Sequence, residues 1–437
     1  MNGPADAAQR YLRPGTLSLR ELPPLSLYVH LPWCLKKCPY CDFNSHEVVR
    51  APQAIAWAAS SGPRTGAGEW LDVTLERRYL QALRADLEAS LPLVWGRRVV
   101  SVFIGGGTPS LFSPDAIGQL IADVRARLPL VPECEITLEA NPGTFEAERF
   151  RAFRAAGVTR LSVGAQSFDD GALARIGRVH DGAQARAAVA EAAAAFETYN
   201  LDLMYALPGQ TLDALGRELD VALGFAPPHL SIYHLTLEPN TVFATRPPEG
   251  LPDDDLSAQM LDLITARTEA AGLARYEVSA FARAGHRCRH NLNYWEFGDY
   301  LGIGAGAHGK LSFPHRVLRQ VRWREPAAYM EHAMAGQAVS NEQEVARRDL
   351  PFEYALNALR LREGFAVADF CARTGLPVSA IEPALARAEA RGLIEVLPAQ
   401  VPSEVPTDAG AGFMQRRIVP TAKGFDFLSD LQQMFLP

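Results

Sequence analysis

Cysteine is scarce in this sequence, with six residues among 437. Three of the six lie within eight positions, whereas Cys134, Cys288 and Cys371 are far apart along the chain. Small secreted domains that depend on disulfides contain many more cysteines for their length. The pattern therefore favours a reducing compartment and a metal site over a disulfide framework, so we expect a cytoplasmic protein.

Long apolar runs and a strong net charge are also absent. No uncharged apolar stretch reaches the ~20 residues that cross a bilayer, and the first 33 residues lack the apolar core of a signal peptide. The formal net charge is -7, which predicts no general attraction to nucleic acid or to anionic lipid. With 48% hydrophobic residues, the chain should form one large globular domain and a smaller one.

The clustered cysteines have the spacing CxxxCxxC and follow an apolar, alternating run. Cys34, Cys38 and Cys41 can converge on one metal centre if the backbone loops around it. Three thiolates on a four-iron cluster would leave one iron open to an exchangeable ligand. Two alternatives remain open: a structural zinc site completed by His30 or His46, and three unrelated buried thiols.

The middle of the sequence alternates short apolar strands with helices, which predicts parallel pairing with right-handed crossovers. The predicted strands are Leu25–Leu31, Arg98–Ile104, Glu135–Leu138, Arg160–Val163, Asn200–Met204 and Leu230–Thr236. The predicted helices are Leu75–Leu91, Pro114–Leu128, Glu146–Ala156, Asp170–Ile176, Gln184–Thr198 and Leu212–Phe225. Because six units are too few for a closed eight-fold barrel, we predict an α/β fold with an open, partial (β/α)6 barrel of TIM type.

Composition divides the chain into four parts. Residues 1–24 are polar and proline-rich and predict a loose lead-in, followed by the barrel at 25–245 and a barrel extension at 246–350. Residues 60–68 have the composition of a flexible insertion.

The last part, residues 351–437, predicts a winged-helix-like domain. Its predicted elements are helices Glu353–Leu361, Val367–Thr374 and Ala380–Arg391, a hairpin of Leu393–Leu397 with Arg417–Pro420, and a last helix Lys423–Phe435. Such domains often bind DNA, but this one has a net charge of -2. Because DNA binding requires phosphate neutralisation, we expect a structural or docking role and no nucleic-acid partner.

Polar residues follow the predicted barrel strands at one edge. These strand-end residues are Cys34, Gly105–Thr108, Glu139, Gln166, Asp202 and Thr236. Any one of them alone would more often be a helix cap or a turn residue. Since parallel barrels build their sites at the carboxyl ends of the strands, six in succession predict a shared pocket.

Together these motifs resemble the radical S-adenosylmethionine (SAM) superfamily, and within it the branch that contains HemN and HemW. The resemblance runs from about Pro24 to the C-terminus, except around residues 50–70. Its most specific strings are YVHLPWC, CPYCDFNSH, FIGGGTPSLF, LEANPGT, VGAQSF, NLDLMYALPGQT and HNLNYW. The resemblance implies a 4Fe-4S cluster on the three clustered cysteines, with the amino and carboxylate groups of SAM on the fourth iron.

The resemblance also implies which residues bind SAM. Glycine suits the loop that meets the methionine end, because a residue without Cβ lets the main chain approach a ligand closely. The implied SAM residues are Tyr28 and Tyr40 beside methionine and adenine, the loop Gly106, Gly107 and Thr108, the polar contacts Glu139, Gln166, Arg178 and Asp202, and the looser contacts Thr236 and His308.

A second group of chemically capable residues follows the barrel, from Cys288 through His290 to Tyr294 and Trp295. A histidine can ligate heme iron, aromatic rings can pack on a macrocycle, and arginines 283, 287 and 289 could hold propionates. A turn histidine among ordinarily packed aromatics is the alternative. The HNxxYW string of the resembling family implies heme contact through His290, with Cys288 as a rival ligand.

Three functions are considered for this sequence, two of which belong to this branch of the superfamily. The HemN oxidase motif continues with a cysteine two residues after the third, where this sequence has Phe43. The difference favours a heme chaperone that keeps a SAM-bound cluster and hands heme to an acceptor protein, with SAM cleavage and a cluster-dependent homodimer left open. The alternatives are a radical enzyme that decarboxylates coproporphyrinogen III, and a zinc-binding scaffold that acts through its C-terminal domain.

Overall fold

A computed structural model describes residues 15–48, 71–143, 146–398 and 415–437. Residues 1–14 of the predicted lead-in, the predicted insertion at 60–68 and the tip of the predicted C-terminal hairpin lie outside the described residues. No helix among the described residues is long and apolar enough to span a membrane.

The secondary structure alternates strands and helices through the first two thirds of the chain. The strands are β1 (Leu25–Leu31), β2 (Trp33–Cys34), β3 (His46–Glu47), β4 (Val99–Gly106), β5 (Leu130–Ala140), β6 (Arg160–Gln166), β7 (Tyr199–Tyr205), β8 (His229–His234), β9 (Ala274–Arg275), β10 (Ala280–Ala282), β11 (Asp299–Ile303), β12 (His308–Phe313), β13 (Arg316–Arg322), β14 (Val339–Glu344), β15 (Phe365–Ala366), β16 (Ile394–Pro398) and β17 (Arg416–Pro420). The helices are α1 (Val73–Ser90), α2 (Pro114–Arg127), α3 (Glu146–Ala155), α4 (Asp170–Arg175), α5 (Gly182–Ala195), α6 (Leu212–Gly224), α7 (Val242–Thr245), α8 (Asp254–Ala270), α9 (Arg289–Trp295), α10 (Pro326–Met334), α11 (Leu350–Ala358), α12 (Val367–Thr374), α13 (Glu382–Ala390), α14 (Ala422–Asp426) and α15 (Leu428–Gln433).

Twelve strands form one large sheet in the order β14-β13-β12-β11-β1-β4-β5-β6-β7-β8-β10-β9. The strands from β11 through β8 are parallel, and antiparallel strands extend both edges. The two edge strands, β14 and β9, do not pair with each other, so the barrel is open. The predicted open, partial barrel is confirmed, and its six strands correspond to β1 and β4–β8.

Strand β11 is a seventh parallel strand that was not predicted from the sequence. It pairs with β1 on the side opposite β4, and places Gly302 beside Tyr28. This pairing is hard to predict from the sequence because β11 has five residues and lies far from β1 along the chain. The extension at 246–350 therefore continues the sheet of the barrel through β11–β14.

Helices around the barrel begin at residues whose side chains cap the helix N-terminus. The Asp72 side chain accepts hydrogen bonds from the Thr74 and Leu75 amides at the start of α1, and Ser113 caps α2 just before Pro114. These contacts satisfy amides that have no partner within the helix. On the strands, side chains such as Leu27 and Val29 are fully buried, each stabilising the fold by about 1.5–3 kcal/mol.

The C-terminal domain combines α11, α12 and α13 with a small sheet in the order β15-β17-β16. This arrangement agrees with the predicted winged-helix-like architecture. The single last helix that was predicted is wrong in detail, because the backbone of Phe427 has φ -104° and ψ 44° and separates α14 from α15. Apolar spacing alone continues across this break and could not locate it.

The described part of the lead-in is not loose, which corrects the expectation for residues 15–24. The Leu17 and Leu19 amides donate to the carbonyl oxygens of His315 and Pro314 at 3.2 and 2.9 Å. Both leucine side chains are buried in the core of the C-terminal domain. Because the residues around these two leucines are polar and rich in proline, the sequence alone did not indicate that Leu17 and Leu19 pack into the core.

Candidate functional site

The three clustered cysteines lie on a loop that begins at the carboxyl end of β1. The loop is closed at its base by pairing of β2 with β3. Cys34 Sγ accepts a hydrogen bond from Thr108 Oγ1 at 3.5 Å, Cys38 Sγ accepts one from Arg178 Nη1 at 3.7 Å, and Cys41 Sγ is 3.9 Å from Ser45 Oγ. Each half-buried, unpaired thiol thus has a polar partner.

Burial controls the protonation of these thiols. It raises the pKa of Cys34 and of Cys41, while the hydrogen bond from Thr108 to Cys34 opposes the shift. Since iron and zinc bind thiolates, metal binding at this loop must release protons. No group of three or more His, Cys, Asp or Glu side chains is arranged as a ready metal site within the ranges that the structure describes.

The histidines of the zinc alternative already have other partners. His30 Nδ1 is 2.9 Å from the Tyr28 hydroxyl, and His30 Nε2 is 2.9 Å from the Asn44 carbonyl oxygen. Burial lowers the pKa of His30 to about 4. His46 Nε2 lies 3.3 Å from Asn44 Oδ1. A zinc ion that recruited His30 would have to break one of its two hydrogen bonds.

A polar chain connects two of the cysteines through the carboxyl edge of the sheet. Asn141 Nδ2 donates to Thr108 Oγ1 at 2.8 Å, and Asn141 Oδ1 accepts from Arg178 Nη2 at 2.6 Å. Arg178 Nη2 also donates to the Gly164 carbonyl at 2.7 Å. Arg178 Nε is buried without a hydrogen-bond partner in the described structure. Asn141 was not among the predicted site residues, although it follows β5 within the LEANPGT string.

The glycine loop after β4 has no room for side chains. A Cβ on Gly106, whose φ is +118°, would lie 2.7 Å from the His30 ring, and one on Gly107 would lie 2.6 Å from the Trp33 carbonyl oxygen. Real Cβ atoms do not approach other atoms this closely. Glycine is therefore required here both for backbone conformation and for close packing against the cysteine loop.

Two buried carboxyl groups lie on neighbouring parts of the sheet. Glu139 Oε2 accepts the Gly106 amide at 3.0 Å, and burial, together with the nearby Asp202, raises the pKa of Glu139 to about 8. Asp202 accepts hydrogen bonds from Ser162 Oγ at 2.9 Å and Asn200 Nδ2 at 2.8 Å, and burial raises its pKa. Neither carboxyl group forms an ion pair with a described residue.

The remaining predicted SAM residues are distributed around this edge. Gln166 ends β6 with a positive φ of 66°, and Tyr40 packs on Phe243 with ring centroids 6.4 Å apart. Thr236 lies beyond the end of β8 and is exposed, and its hydroxyl donates to the His234 carbonyl at 3.4 Å. Tyr28 stacks on Phe103 inside the barrel.

The HNxxYW segment forms α9, which packs against the amino-terminal half of β4. His290 Nδ1 is 3.0 Å from Ser101 Oγ, and the ring stacks on Phe103 and meets Tyr294 edge-on. The His290 side chain is 1% exposed, its Nε2 has no partner in the described residues, and burial lowers its pKa to about 3. His290 is therefore a neutral, enclosed imidazole.

Cys288 and the three predicted propionate-binding arginines are not brought together with His290 on an open surface. Cys288 is buried with Sγ 3.6 Å from Glu135 Oε1, and burial raises its pKa to about 12. The three arginines have other partners: Arg283 the Pro227 carbonyl, Arg287 the Glu363 carboxylate and Arg289 the Glu133 carbonyl. A heme contact at His290 stays a prediction that would require the barrel interior to open.

An open cavity of about 590 Å³ lies between the cysteine loop and the extension strands. Its volume is within the range of about 300–1,000 Å³ of ligand sites. The aromatic residues on its wall are Tyr28, Tyr294, Trp295, Phe297 and Tyr300, and the basic ones are Lys310, Arg319 and Arg324. Phe43, Gly106, Glu139 and His308 also line it. The cavity thus adjoins the predicted SAM residues and both aromatic residues of the HNxxYW string.

Comparison with known proteins agrees with these features. The Radical SAM superfamily profile matches residues 28–222, and the HemN C-terminal domain profile matches residues 345–398. Heme chaperone HemW of Escherichia coli is 45% identical over 376 residues, covering 86% of this chain and 92% of the relative. Heme chaperone HemW of Mycobacterium tuberculosis is 38% identical over 351 residues, covering 79% and 84%.

The solved structure of coproporphyrinogen III oxidase (HemN) from Escherichia coli covers 99% of this chain and 93% of its own, with a TM-score of 0.73 at 22% identity. This likeness shows the shared fold. The identity to the curated relatives extends over most of both chains and shows the family. The chain belongs to the HemW family of the radical SAM superfamily.

Proposed function

We propose that the chain is a heme chaperone that binds heme beside a SAM-coordinated 4Fe-4S cluster and delivers the heme to an acceptor protein. The observation that carries the proposal is the cavity of about 590 Å³, which borders the cysteine loop and combines flat aromatic walls with basic side chains. Heme is a flat, apolar macrocycle with two anionic propionates, so it requires both kinds of surface. The curated relatives named heme chaperones support the same function.

The cysteine loop fits an iron–sulfur cluster. Cys34, Cys38 and Cys41 would hold it, and the partners of these thiols, among them Thr108 and Arg178, can donate hydrogen bonds to thiolates. The buried Nε of Arg178 has a hydrogen-bonding capacity that no described residue uses. When bound, such a cluster supplies one-electron chemistry and an iron with an open coordination position.

The carboxyl edge of the sheet fits SAM, which carries a positive sulfonium, an amino group and ribose hydroxyls. Two carboxyl groups without ion pairs can accept hydrogen bonds from such groups, and the glycine loop leaves its backbone accessible. The residues proposed to hold SAM are Tyr28, Tyr40, Gly106, Gly107, Thr108, Glu139, Gln166, Arg178, Asp202 and Thr236. His308 was predicted as a looser SAM contact, but it lies on the extension wall of the cavity and is treated with heme below.

Phe43 favours a chaperone over a porphyrinogen decarboxylase. Its ring is 59% exposed and lines the cavity, at the position where the oxidase motif has another cysteine. The ring offers a porphyrin an apolar face but supplies no thiol for redox or acid–base chemistry. The fold shared with the oxidase does not by itself carry its activity.

Three further parts of the proposal concern the setting of the protein. None of the six cysteines, all of which the structure describes, forms a disulfide bond, which supports a reducing compartment and hence the cytoplasm. The acceptor is proposed to be a protein, because a chaperone must release heme to a binding site of higher affinity. A homodimer whose formation depends on the cluster is also proposed, and nucleic acid is not among the proposed partners.

The test is an anaerobic hemin titration of the cluster-loaded chain, followed by addition of excess apomyoglobin. We expect one saturable heme site and transfer of the bound heme to apomyoglobin. Trp295→Ala should weaken heme binding because it removes part of the aromatic wall of the cavity. The matched control is Trp95→Ala, which should bind heme as the wild type does, since Trp95 is 83% exposed and does not line the cavity. Absence of saturable heme binding in the wild type would contradict the proposal.

A further inference from the structure

Three histidines lie at or beside the cavity, and they differ in their freedom to bind a ligand. Both ring nitrogens of His30 have hydrogen-bond partners. His290 is enclosed, with one nitrogen bonded to Ser101. His308 lines the cavity with an exposed side chain, and neither of its ring nitrogens has a hydrogen bond to a described residue. His308 is therefore the histidine that a ligand in the cavity can reach without displacing protein contacts.

Strand register explains the position of His308. Lys310 pairs with Arg319 of β13 and with Tyr300 of β11. Residues two apart on a strand share a face of the sheet, so His308 projects from the same face as Lys310. Tyr300 and Arg319 are joined there by a hydrogen bond of 2.7 Å, and Tyr294 meets the Tyr300 ring edge-on at 4.4 Å. Aromatic and basic groups thus surround His308 on one continuous face.

The wall that carries His308 is fixed to the cysteine loop. Asn44 Nδ2 donates to the carbonyl oxygens of Ala305 and Arg324 at 2.9 and 2.7 Å. Gly306, with φ +77°, allows this approach because a Cβ there would collide with the Asn44 amide. Arg324 lines the cavity, and its guanidinium forms no ion pair with a described residue. Arg324 therefore brings to the cavity wall a cation that has no ion pair with a described residue, and its backbone is anchored to the cysteine loop.

We propose that His308 is the protein ligand of the heme iron and that Arg324 binds a heme propionate, with the macrocycle against Tyr294 and Trp295. The inference rests on the proposed function, since it assigns the site for the heme that function requires. Coordination forms one bond, from the lone pair of a ring nitrogen to iron, and displaces at most a water molecule. Burial and the charges of Arg319 and Arg324 lower the pKa of His308, so the imidazole is neutral, as ligation requires.

This assignment gives His290 a different role from the one that the HNxxYW string implies. His290 packs between Phe103 and Tyr294, so it supports the back of the aromatic wall. Its side chain does not reach the cavity, whose described lining includes Tyr294 and Trp295 but not His290. His290 is thus a positioning residue for Tyr294.

The test is a hemin titration of the cluster-loaded wild type and of His308→Ala, Arg324→Ala and His332→Ala. His308→Ala should lose the histidine-ligated Soret spectrum, and its affinity should fall about ten-fold or more. Free imidazole should restore the spectrum. Arg324→Ala should keep the spectrum and lose affinity by about three- to ten-fold. The control is His332, which stacks on Trp323 outside the cavity lining and should behave as wild type.

The outcomes separate this site from the proposed function. If the wild type binds no heme, the proposed function fails together with the site. If the wild type binds heme and His308→Ala has an unchanged spectrum and affinity, the chaperone function stands and this assignment is overturned. A spectral change in His290→Ala without one in His308→Ala has the same meaning. Circular dichroism checks that each variant is folded, as expected for an exposed histidine.

Discussion

Replacing Glu139 with glutamine should remove a large part of the pH dependence of stability in the cluster-free chain. Burial and the nearby Asp202 raise the pKa of Glu139 from 4.5 to about 8. Between these values the folded carboxyl keeps a proton that the unfolded one has lost, so the free energy of unfolding falls as pH rises. At about 1.4 kcal/mol per pH unit, the loss should reach about 3–5 kcal/mol by pH 8, the lower figure allowing for water in the cavity.

The assay is urea unfolding of wild type and Glu139→Gln from pH 5 to pH 9, without cluster or SAM. Subtracting the two profiles cancels the titrating groups that do not interact with Glu139, so the difference reports Glu139 together with its neighbour Asp202. The difference should be small at pH 5 and should grow in favour of the variant up to about pH 8. Glu148→Gln, which changes an exposed carboxylate on α3, is the control and should follow the wild type. Parallel profiles for wild type and Glu139→Gln would refute the reasoning.

Three further predictions concern the cluster, SAM and the barrel interior. Alanine at any of the three clustered cysteines should abolish incorporation of iron and sulfide and leave the circular dichroism spectrum unchanged, whereas the control Cys371→Ala should keep the cluster. Zinc without iron in the reconstituted wild type would disprove the cluster assignment. In an equilibrium dialysis assay, Gly107→Val should weaken SAM binding about ten-fold or more, and Asp202→Ala should reduce the free energy of SAM binding by about 1.5–3 kcal/mol. Gly216→Ala is the control and should bind SAM normally, because a Cβ at Gly216 would lie in open space. His290→Ala should lower the free energy of unfolding by about 2–4 kcal/mol because it leaves a cavity, and an unchanged urea midpoint would show that the ring is not packed as described.

The carboxyl-edge residues were predictable because their position follows from a general rule. Glu139 follows one predicted short strand and Asp202 lies within another, and parallel strands end at one edge. The structure brings the two carboxyl groups near each other, and Glu139 accepts a hydrogen bond from the Gly106 amide. The positions of Glu139 and Asp202 could therefore be predicted from the strand pattern alone, without knowledge of contacts between distant segments.

Contacts between distant segments could not be predicted in the same way. Arg178 reaches Asn141 and Cys38 from a turn after α4, which has no strand end to mark it. His290 is enclosed because it meets Ser101, 189 residues away in sequence. The sequence around His290 is equally compatible with a surface turn, and only the packing of α9 against β4 distinguishes the two.

Whether the chain binds heme or converts a porphyrinogen can be decided in a single anaerobic competition experiment. The cluster-loaded chain is mixed with SAM and a reductant, and heme and coproporphyrinogen III are then added in equal amounts. After incubation, gel filtration separates protein-bound from free tetrapyrrole, and chromatography of each fraction identifies the products. A heme chaperone should retain heme in the protein fraction and leave coproporphyrinogen III unchanged. Conversion of coproporphyrinogen III to protoporphyrinogen IX, or elution of all the heme in the free fraction, would contradict the account.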